Sequence, residues 1–233
     1  MLPNQPFHRP MIMLGWKKGI GLYFYAMARP QPKNDLPSLF DAGSIWPEGF
    51  RCELDLFSEA DEERFVKCFE ALPFKPFEFH GYLGNRRIVP FGYRYDYAGR
   101  ALRAAEPMPE FLEELKHTVS RFTGIAMSSW EQALVTEYRP GAGIGWHRDK
   151  PMFADVAALS FLARCALRLR RKNGTSWSRT SVHVPPRSGY LLHGPVRDEW
   201  EHSIAPMNEL RYSVTFRSFR DNFTHRIRTS PSG

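Results

Sequence analysis

From Gly124 onward the chain falls into short runs of strand-forming residues, each closed by a glycine, proline or polar turn. Gln132–Tyr138 ends at Pro140-Gly141-Ala142-Gly143, and Val156–Ala163, Ala166–Arg171, Ser181–Val184, Tyr190–His193, Glu201–Ile204 and Leu210–Phe219 follow closely. Many short strands at such spacing point to an antiparallel sandwich or barrel. Two helices precede this β-rich body. Ser58 followed by Asp61 forms an N-cap signature, and Phe65, Phe69 and Leu72 follow at helical spacing until Pro73 stops the run. Pro107 and Pro109 open the second helix, Phe111, Leu115, Val119 and Phe122 form its apolar stripe, and Gly124 ends it.

The first 45 residues differ in texture. Prolines recur at 3, 6, 10, 30, 32 and 37, and no acid occurs before Asp35, while Arg9, Lys17, Lys18, Arg29 and Lys33 are basic. The apolar stretch ending at Ala26-Met27-Ala28 is too short for a spanning helix, so residues 1–45 read as a basic tail or linker and the protein as cytoplasmic, with no membrane role. The expected globular part is 46–220. In it, 46–124 would hold the helices and a substrate lid and 125–220 the β core, with a C-terminal tail over 221–233. With 233 residues and 42% hydrophobic content, a chain of this kind buries its own core, and no obligate protein partner is implied. Cys52, Cys68 and Cys165 are scattered, which excludes a disulfide framework and a cysteine-rich zinc site. A net charge of +7 favours a polyanionic partner.

The chemistry concentrates in two places. In Trp146-His147-Arg148-Asp149, residues two apart share a face of an extended chain, so His147 and Asp149 can hold one metal ion. In Leu210–Arg217, Tyr212, Val214 and Phe216 face one way and Arg211, Ser213, Thr215 and Arg217 the other. The polar face carries two guanidiniums, whose planar forks suit carboxylates. A third ligand would come from a later histidine: His183, His193, His202 or His225. His202 leads into the strand pair that bears the arginines. Two histidines and a carboxylate would leave open positions on the ion, the arrangement of non-haem Fe(II) oxygenases.

Glu137-Tyr138-Arg139-Pro140-Gly141, Gly145-Trp146-His147-Arg148-Asp149, Glu201-His202-Ser203-Ile204 and Arg211-x-Ser213-x-Thr215-x-Arg217, in this order, resemble the AlkB family of Fe(II)/2-oxoglutarate dioxygenases. Phe79-His80-Gly81-Tyr82-Leu83-Gly84 and Phe91-Gly92-Tyr93-Arg94-Tyr95 resemble that family's nucleotide-recognition region. The likeness covers roughly 46–220. It implies an α+β, mainly β fold: a double-stranded β-helix, or jelly roll, with the N-terminal helices packed outside and a nucleotide-recognition lid. It also implies the cofactor Fe(II) on His147, Asp149 and His202, with 2-oxoglutarate and O2 as cosubstrates. Arg211, assisted by Tyr138, would take the distal carboxylate of 2-oxoglutarate. Arg217 would lie near its keto-acid end, and Leu134, Thr136, Ser213 and Thr215 would line the pocket. Thr136 stands where the family usually has Asn, and Pro151 where several members have an Asp that touches the substrate base.

The implied activity is oxidative demethylation of alkylated bases in DNA or RNA, with formaldehyde, succinate and CO2 released. The expected substrate contacts are Trp146, Arg148 and the segment Arg86–Tyr97, which interleaves cations with rings. Arg86 and Arg87 would touch phosphates. Strict alternation would put Phe91, Tyr93, Tyr95 and Tyr97 on one face, as a stacking platform or a core seam.

Overall fold

A computed structural model describes residues 46–79, 82–96, 101–221 and 223. The basic tail over 1–45, His80, Gly81, Tyr97, His225 and nearly all of the C-terminal tail lie outside the described residues. In chain order the elements are β1 (Phe50–Glu53), α1 (Glu59–Glu70), β2 (Lys75–Phe79), β3 (Tyr82–Phe91), β4 (Tyr93–Asp96), β5 (Ala101–Ala104) and α2 (Glu110–Thr123). They continue with β6 (Gln132–Tyr138), β7 (Ile144–His147), β8 (Phe153–Phe161), β9 (Cys165–Asn173), β10 (Ser176–Val184), β11 (Gly189–Leu192), α3 (Gly194–Glu199), β12 (Glu201–Ile204) and β13 (Arg211–Phe219).

Both long helices start and stop where their end residues require. The Ser58 hydroxyl accepts the Asp61 N–H at 3.1 Å and Asp61 Oδ2 accepts the Ser58 N–H at 3.3 Å, which satisfies two N–H groups left over at the helix start. Gly124 closes α2 in the left-handed conformation and donates its N–H to Ser120.

Three layers result. A seven-stranded antiparallel sheet runs in the order β1-β11-β8-β13-β6-β3-β2, and a four-stranded sheet in the order β10-β9-β12-β7. Between α1, α2 and the larger sheet lies one core, in which Phe65, Phe69, Leu112, Leu115 and Val119 meet Val135, Leu159, Phe161, Tyr212, Val214 and Phe216. A second core fills the space between the sheets, with Val156, Leu167, Leu169, Val182, Val184, Leu192 and Ile204. Each fully buried side chain of this size contributes roughly 1.5–3 kcal/mol, so neither layer would persist alone.

β13 is the middle strand of the larger sheet, flanked by β6 and β8. Tyr212, Val214 and Phe216 point to the helices, so Arg211, Ser213, Thr215 and Arg217 point between the sheets. The alternation is as the sequence suggests, and the polar face is interior.

Two expectations are corrected. Residues 46–124 hold more than helices and lid, because β1, β2 and β3 join the larger sheet, and the backbone of β3 is satisfied by pairing with β6 from Arg87↔Glu137 to Phe91↔Ala133. The row of rings is also broken. Gly92 takes φ +72°, which ends β3, and β4 pairs instead with β5 in a separate ribbon. Phe91 therefore enters the helix-side core and Tyr93 packs edge-on against Phe219 at 5.2 Å, so neither belongs to a shared platform.

A Cβ at Gly92 would come within 2.2 Å of the Glu131 carbonyl oxygen. Gly92→Ala is expected to lose about 2 kcal/mol or more through this clash and the positive φ, read as a lowered denaturant midpoint. Among the described residues, no helix is long and apolar enough to cross a membrane.

Candidate active site

The metal-ligating residues come from two strands of the smaller sheet and the turn after one of them. His147 at the end of β7 lies directly opposite His202 on β12, with ring centroids 4.2 Å apart. Asp149 follows β7 by two residues. The ligand atoms of His147, Asp149 and His202 all lie within 4.8 Å of one another. His147 Nδ1 is 2.9 Å from the Gly145 carbonyl oxygen, which can only accept, so Nδ1 carries the proton and Nε2 keeps its lone pair. Burial foremost, and then the neighbouring His147, lowers the His202 pKa to about 3; burial also lowers that of His147. Both rings are thus neutral, as ligands must be.

Asp149 is held by one oxygen. Burial alone would raise its pKa, but Arg217, with His202, His147 and Arg197, outweighs this and keeps the carboxyl well below the usual range. Arg217 Nε donates to Asp149 Oδ1 at 2.8 Å and its Nη1 to Gln132 Oε1 at 3.0 Å. Asp149 Oδ2 is buried with no hydrogen-bond partner. A buried carboxylate oxygen left bare costs on the order of 1–3 kcal/mol or more, which a divalent cation would offset. The histidine nitrogens and this oxygen form a donor set suited to such an ion.

The second anomaly is Arg211. It is fully buried, with its guanidinium 5.2 Å from the Tyr138 ring and Nε donating to Ser160 Oγ at 3.1 Å. Both Nη atoms are buried without partners. Two adjacent N–H edges held open in a dry site match a carboxylate.

His147, Asp149 and His202 border one cavity of about 1370 Å³, and Tyr138, whose ring the Arg211 guanidinium lies against, lines it too. Leu134, Thr136, Tyr138, Ser213, Thr215 and Arg217 line it together with His147, Asp149 and His202. Arg86, Tyr95, Trp146 and Arg148 also border it. Arg87 does not. It faces the other side of β3 and makes a two-pronged contact with buried Glu137, at 2.7 Å from Nε to Oε1 and 2.7 Å from Nη2 to Oε2. Arg87, Phe91 and Tyr93 are therefore removed from the substrate contacts. His183 is exposed on β10, and His193 sits 2.5 Å from Asp155 through Nδ1, so neither is a ligand.

The sequence reading missed Gln132, Ser160 and Arg197. Gln132 lies in register opposite Arg217, and its Nε2 donates to the Tyr93 carbonyl at 3.1 Å, tying the metal side of the cavity to β4. Ser160 was visible as a lone hydroxyl in the apolar run of β8. Arg197 on α3 donates through Nη2 to the carbonyls of Lys150 and Phe153, at 2.7 and 2.8 Å, and so clamps the turn that follows Asp149. Nothing in its flanking sequence announces that role.

Comparison with known proteins agrees with this geometry. The description "2OG-Fe(II) oxygenase superfamily" matches residues 54–226. The chain is 27% identical over 177 residues to the alkylated DNA repair protein ALKBH8 homolog of Arabidopsis thaliana, covering 64% of this chain and 51% of that protein. It thus spans about half the length of that relative. Over 152 residues it is 28% identical to the uncharacterized protein L905 of Acanthamoeba polyphaga mimivirus, covering 58% of this chain and 70% of that protein. Among solved structures, OsALKBH1 superposes with a TM-score of 0.59 at 14% identity, covering 75% of this chain and 99% of that one. A prolyl hydroxylase from Trichoplax adhaerens, solved with a hypoxia inducible factor peptide, gives 0.53 at 14% identity, covering 78% of this chain and 88% of that one. These structural likenesses show the double-stranded β-helix fold and nothing about substrate. The match over most of the chain and the intact triad agree: the chain belongs to the 2OG-Fe(II) oxygenase superfamily, as a dioxygenase that uses Fe(II) and 2-oxoglutarate.

Proposed function

We propose that this dioxygenase oxidatively demethylates alkylated bases in DNA or RNA. The observation that carries the reading is the rim of the cavity. The β4–β5 ribbon leans on the turn after Asp149, with Lys150 Nζ 4.5 Å from the centre of the Tyr95 ring. Arg86, Arg94 and Arg148 border the same opening. The Tyr95 ring for a base and cations for its phosphates thus border the cavity that holds the metal-ligating residues, as a lid over an extruded nucleotide would require. The name of the Arabidopsis relative points the same way.

In this reading His147, Asp149 and His202 hold Fe(II), and Arg211 takes the far carboxylate of 2-oxoglutarate with Tyr138 and Ser160 fixing the guanidinium. When bound, the iron and 2-oxoglutarate supply the oxidising chemistry, with succinate and CO2 as coproducts and the methyl group leaving as formaldehyde. The chain's own contribution is placement. Arg217 fixes Asp149 by one oxygen, Gln132 fixes Arg217, and Arg197 fixes the turn behind Asp149. Pro151 lines the cavity and offers only its carbonyl, which Arg220 Nε engages at 3.0 Å, so recognition of the base falls to other residues.

Incubation of the protein with Fe(II), 2-oxoglutarate and methylated oligonucleotides is expected to shift the oligonucleotide mass by loss of one CH2. No shift on any methylated DNA or RNA, with 2-oxoglutarate consumed on a peptide instead, would overturn the reading. Tyr95→Ala is expected to lose about 1–3 kcal/mol of oligonucleotide affinity with the salt dependence unchanged. Arg86→Ala should lower the salt slope by about one unit, because one phosphate contact is lost. Fluorescence anisotropy across a salt series separates the two.

A further inference from the structure

The outer face of the four-stranded sheet is built unlike an ordinary solvated face. Its inner face is apolar, with Leu167, Leu169, Val182, Val184 and Ile204 in the core between the sheets. Alternation then turns Arg168, Arg170 and Lys172 of β9 outward, with Trp177 and Arg179 of β10, Glu201 of β12 and Trp146 of β7. The Arg170 guanidinium lies 4.4 Å from the ring centres of both Trp146 and Trp177 and is paired with Glu201 at 2.6 Å. Arg168 lies 5.3 Å from the Trp146 ring and donates to Ser203 Oγ at 3.1 Å. Lys172 and Arg179 are exposed, and Arg179 stands directly opposite Arg170.

Like charges directly opposed across a strand pair destabilise a sheet. Here that cost persists beside a single acid among the described residues, Glu201, so the face carries an excess of positive charge. Arg170 spends its N–H edge on Glu201, but Arg168 and Arg179, held near the Trp146 and Trp177 rings, have less rotamer freedom to lose and keep Nη groups that suit phosphate oxygens. The face also begins at the active site, because Trp146 and Glu201 border the cavity as well. From β7 to β10 it extends three strand spacings, about 14 Å.

We infer that this face is a track for the sugar–phosphate backbone of a single polynucleotide strand, leading away from the cavity mouth at Trp146 across β12, β9 and β10. The inference rests on the nucleic-acid reading of the cavity and adds where the strand runs once its target base has been taken in. The track recognises phosphate, not sequence. An extended strand fits it, since a flat sheet offers nothing to enter the groove of a duplex.

The test is equilibrium binding of unmodified oligonucleotides, followed by anisotropy. One single strand is long enough to cross the sheet from the cavity mouth, and the other is a trinucleotide. In the double variant Lys172→Glu/Arg179→Glu, affinity for the long strand should fall at least about tenfold, and the salt slope by about 1.4 units. The trinucleotide should bind variant and wild type alike. Arg164→Glu, exposed in the turn before β9 at the far end of that strand, is the charge-matched control for Lys172→Glu alone, and it should leave the long-strand affinity near wild type while Lys172→Glu lowers it. Both replaced side chains are exposed, and the neutral pair Lys172→Gln/Arg179→Gln gives a milder version should the charge reversal disturb the sheet. Unchanged long-strand affinity in both double variants, or an equal loss in Arg164→Glu, would overturn the track. If no methylated oligonucleotide is demethylated while long-strand affinity still depends on Lys172 and Arg179, the substrate reading falls and the track stands.

Discussion

His147→Ala is expected to abolish turnover and leave the protein folded. Changing even the outer partners of metal ligands typically costs 10–100-fold, so removal of a ligand should cost more than about 100-fold. The fold should tolerate the change, because His147 ends a short strand at the mouth of the cavity and lies outside both apolar cores. Succinate release measures the first effect and thermal unfolding the second. Asp149→Ala should differ: activity is lost, and stability falls too, because Arg217 loses the carboxylate it engages at 2.8 Å. Chelation of the metal from the wild type should reproduce the loss of activity, with recovery when Fe(II) is added back. Turnover surviving in His147→Ala would contradict the assigned metal site.

Arg211 supports the second large effect. Arg211→Met keeps most of the side-chain volume and removes the charge. Loss of a buried charge-assisted pair costs about 2–5 kcal/mol, so the half-saturating concentration of 2-oxoglutarate should rise at least tenfold. Without 2-oxoglutarate the variant should be no less stable than the wild type, and it should gain stability if the two unpartnered Nη atoms carry the desolvation cost their burial implies. The two proteins should therefore part company when the ligand is added. Metal-loaded wild type gains about 2.7 kcal/mol at a hundred times its Kd, and the variant gains little at the same concentration. A structural role for Arg211 predicts the reverse, with lower stability in the absence of ligand and an unchanged response to 2-oxoglutarate.

The β body and the two long helices were legible because local chemistry decides them. The Ser58 cap and Gly124 terminate helices by hydrogen bonds that span only a few residues, and Gln132–Tyr138 and Glu201–Ile204 appear with the bounds expected from the sequence. The triad was legible because the His-x-Asp pair is local and the order of the motifs supplies the rest. Arg87 was not legible. Its neighbour Arg86 reaches the cavity while Arg87 is drawn to Glu137, and the choice depends on the register of β3 against β6, which no local pattern encodes. The row of rings failed for a smaller reason. One glycine at positive φ turned β4 out of the plane of β3, and period-two counting does not survive such a residue. Arg197 and Gln132 act through contacts 44 and 85 residues away in sequence, so only the assembled structure reveals them.

The position of β13 has a consequence for how the molecule comes into being. It lies in the middle of the larger sheet, yet it is synthesised after β6 and β8, the strands it joins. Until it leaves the ribosome those two strands keep bare edges facing one another, the kind of surface that recruits other chains. Arg211 and Arg217 arrive with it, so a nascent chain has no guanidinium against Tyr138 and Ser160 and none to hold Asp149 in place. A message cut short before Arg211 would yield a chain with an open seam, destined for aggregation or degradation before it could act as a weak enzyme.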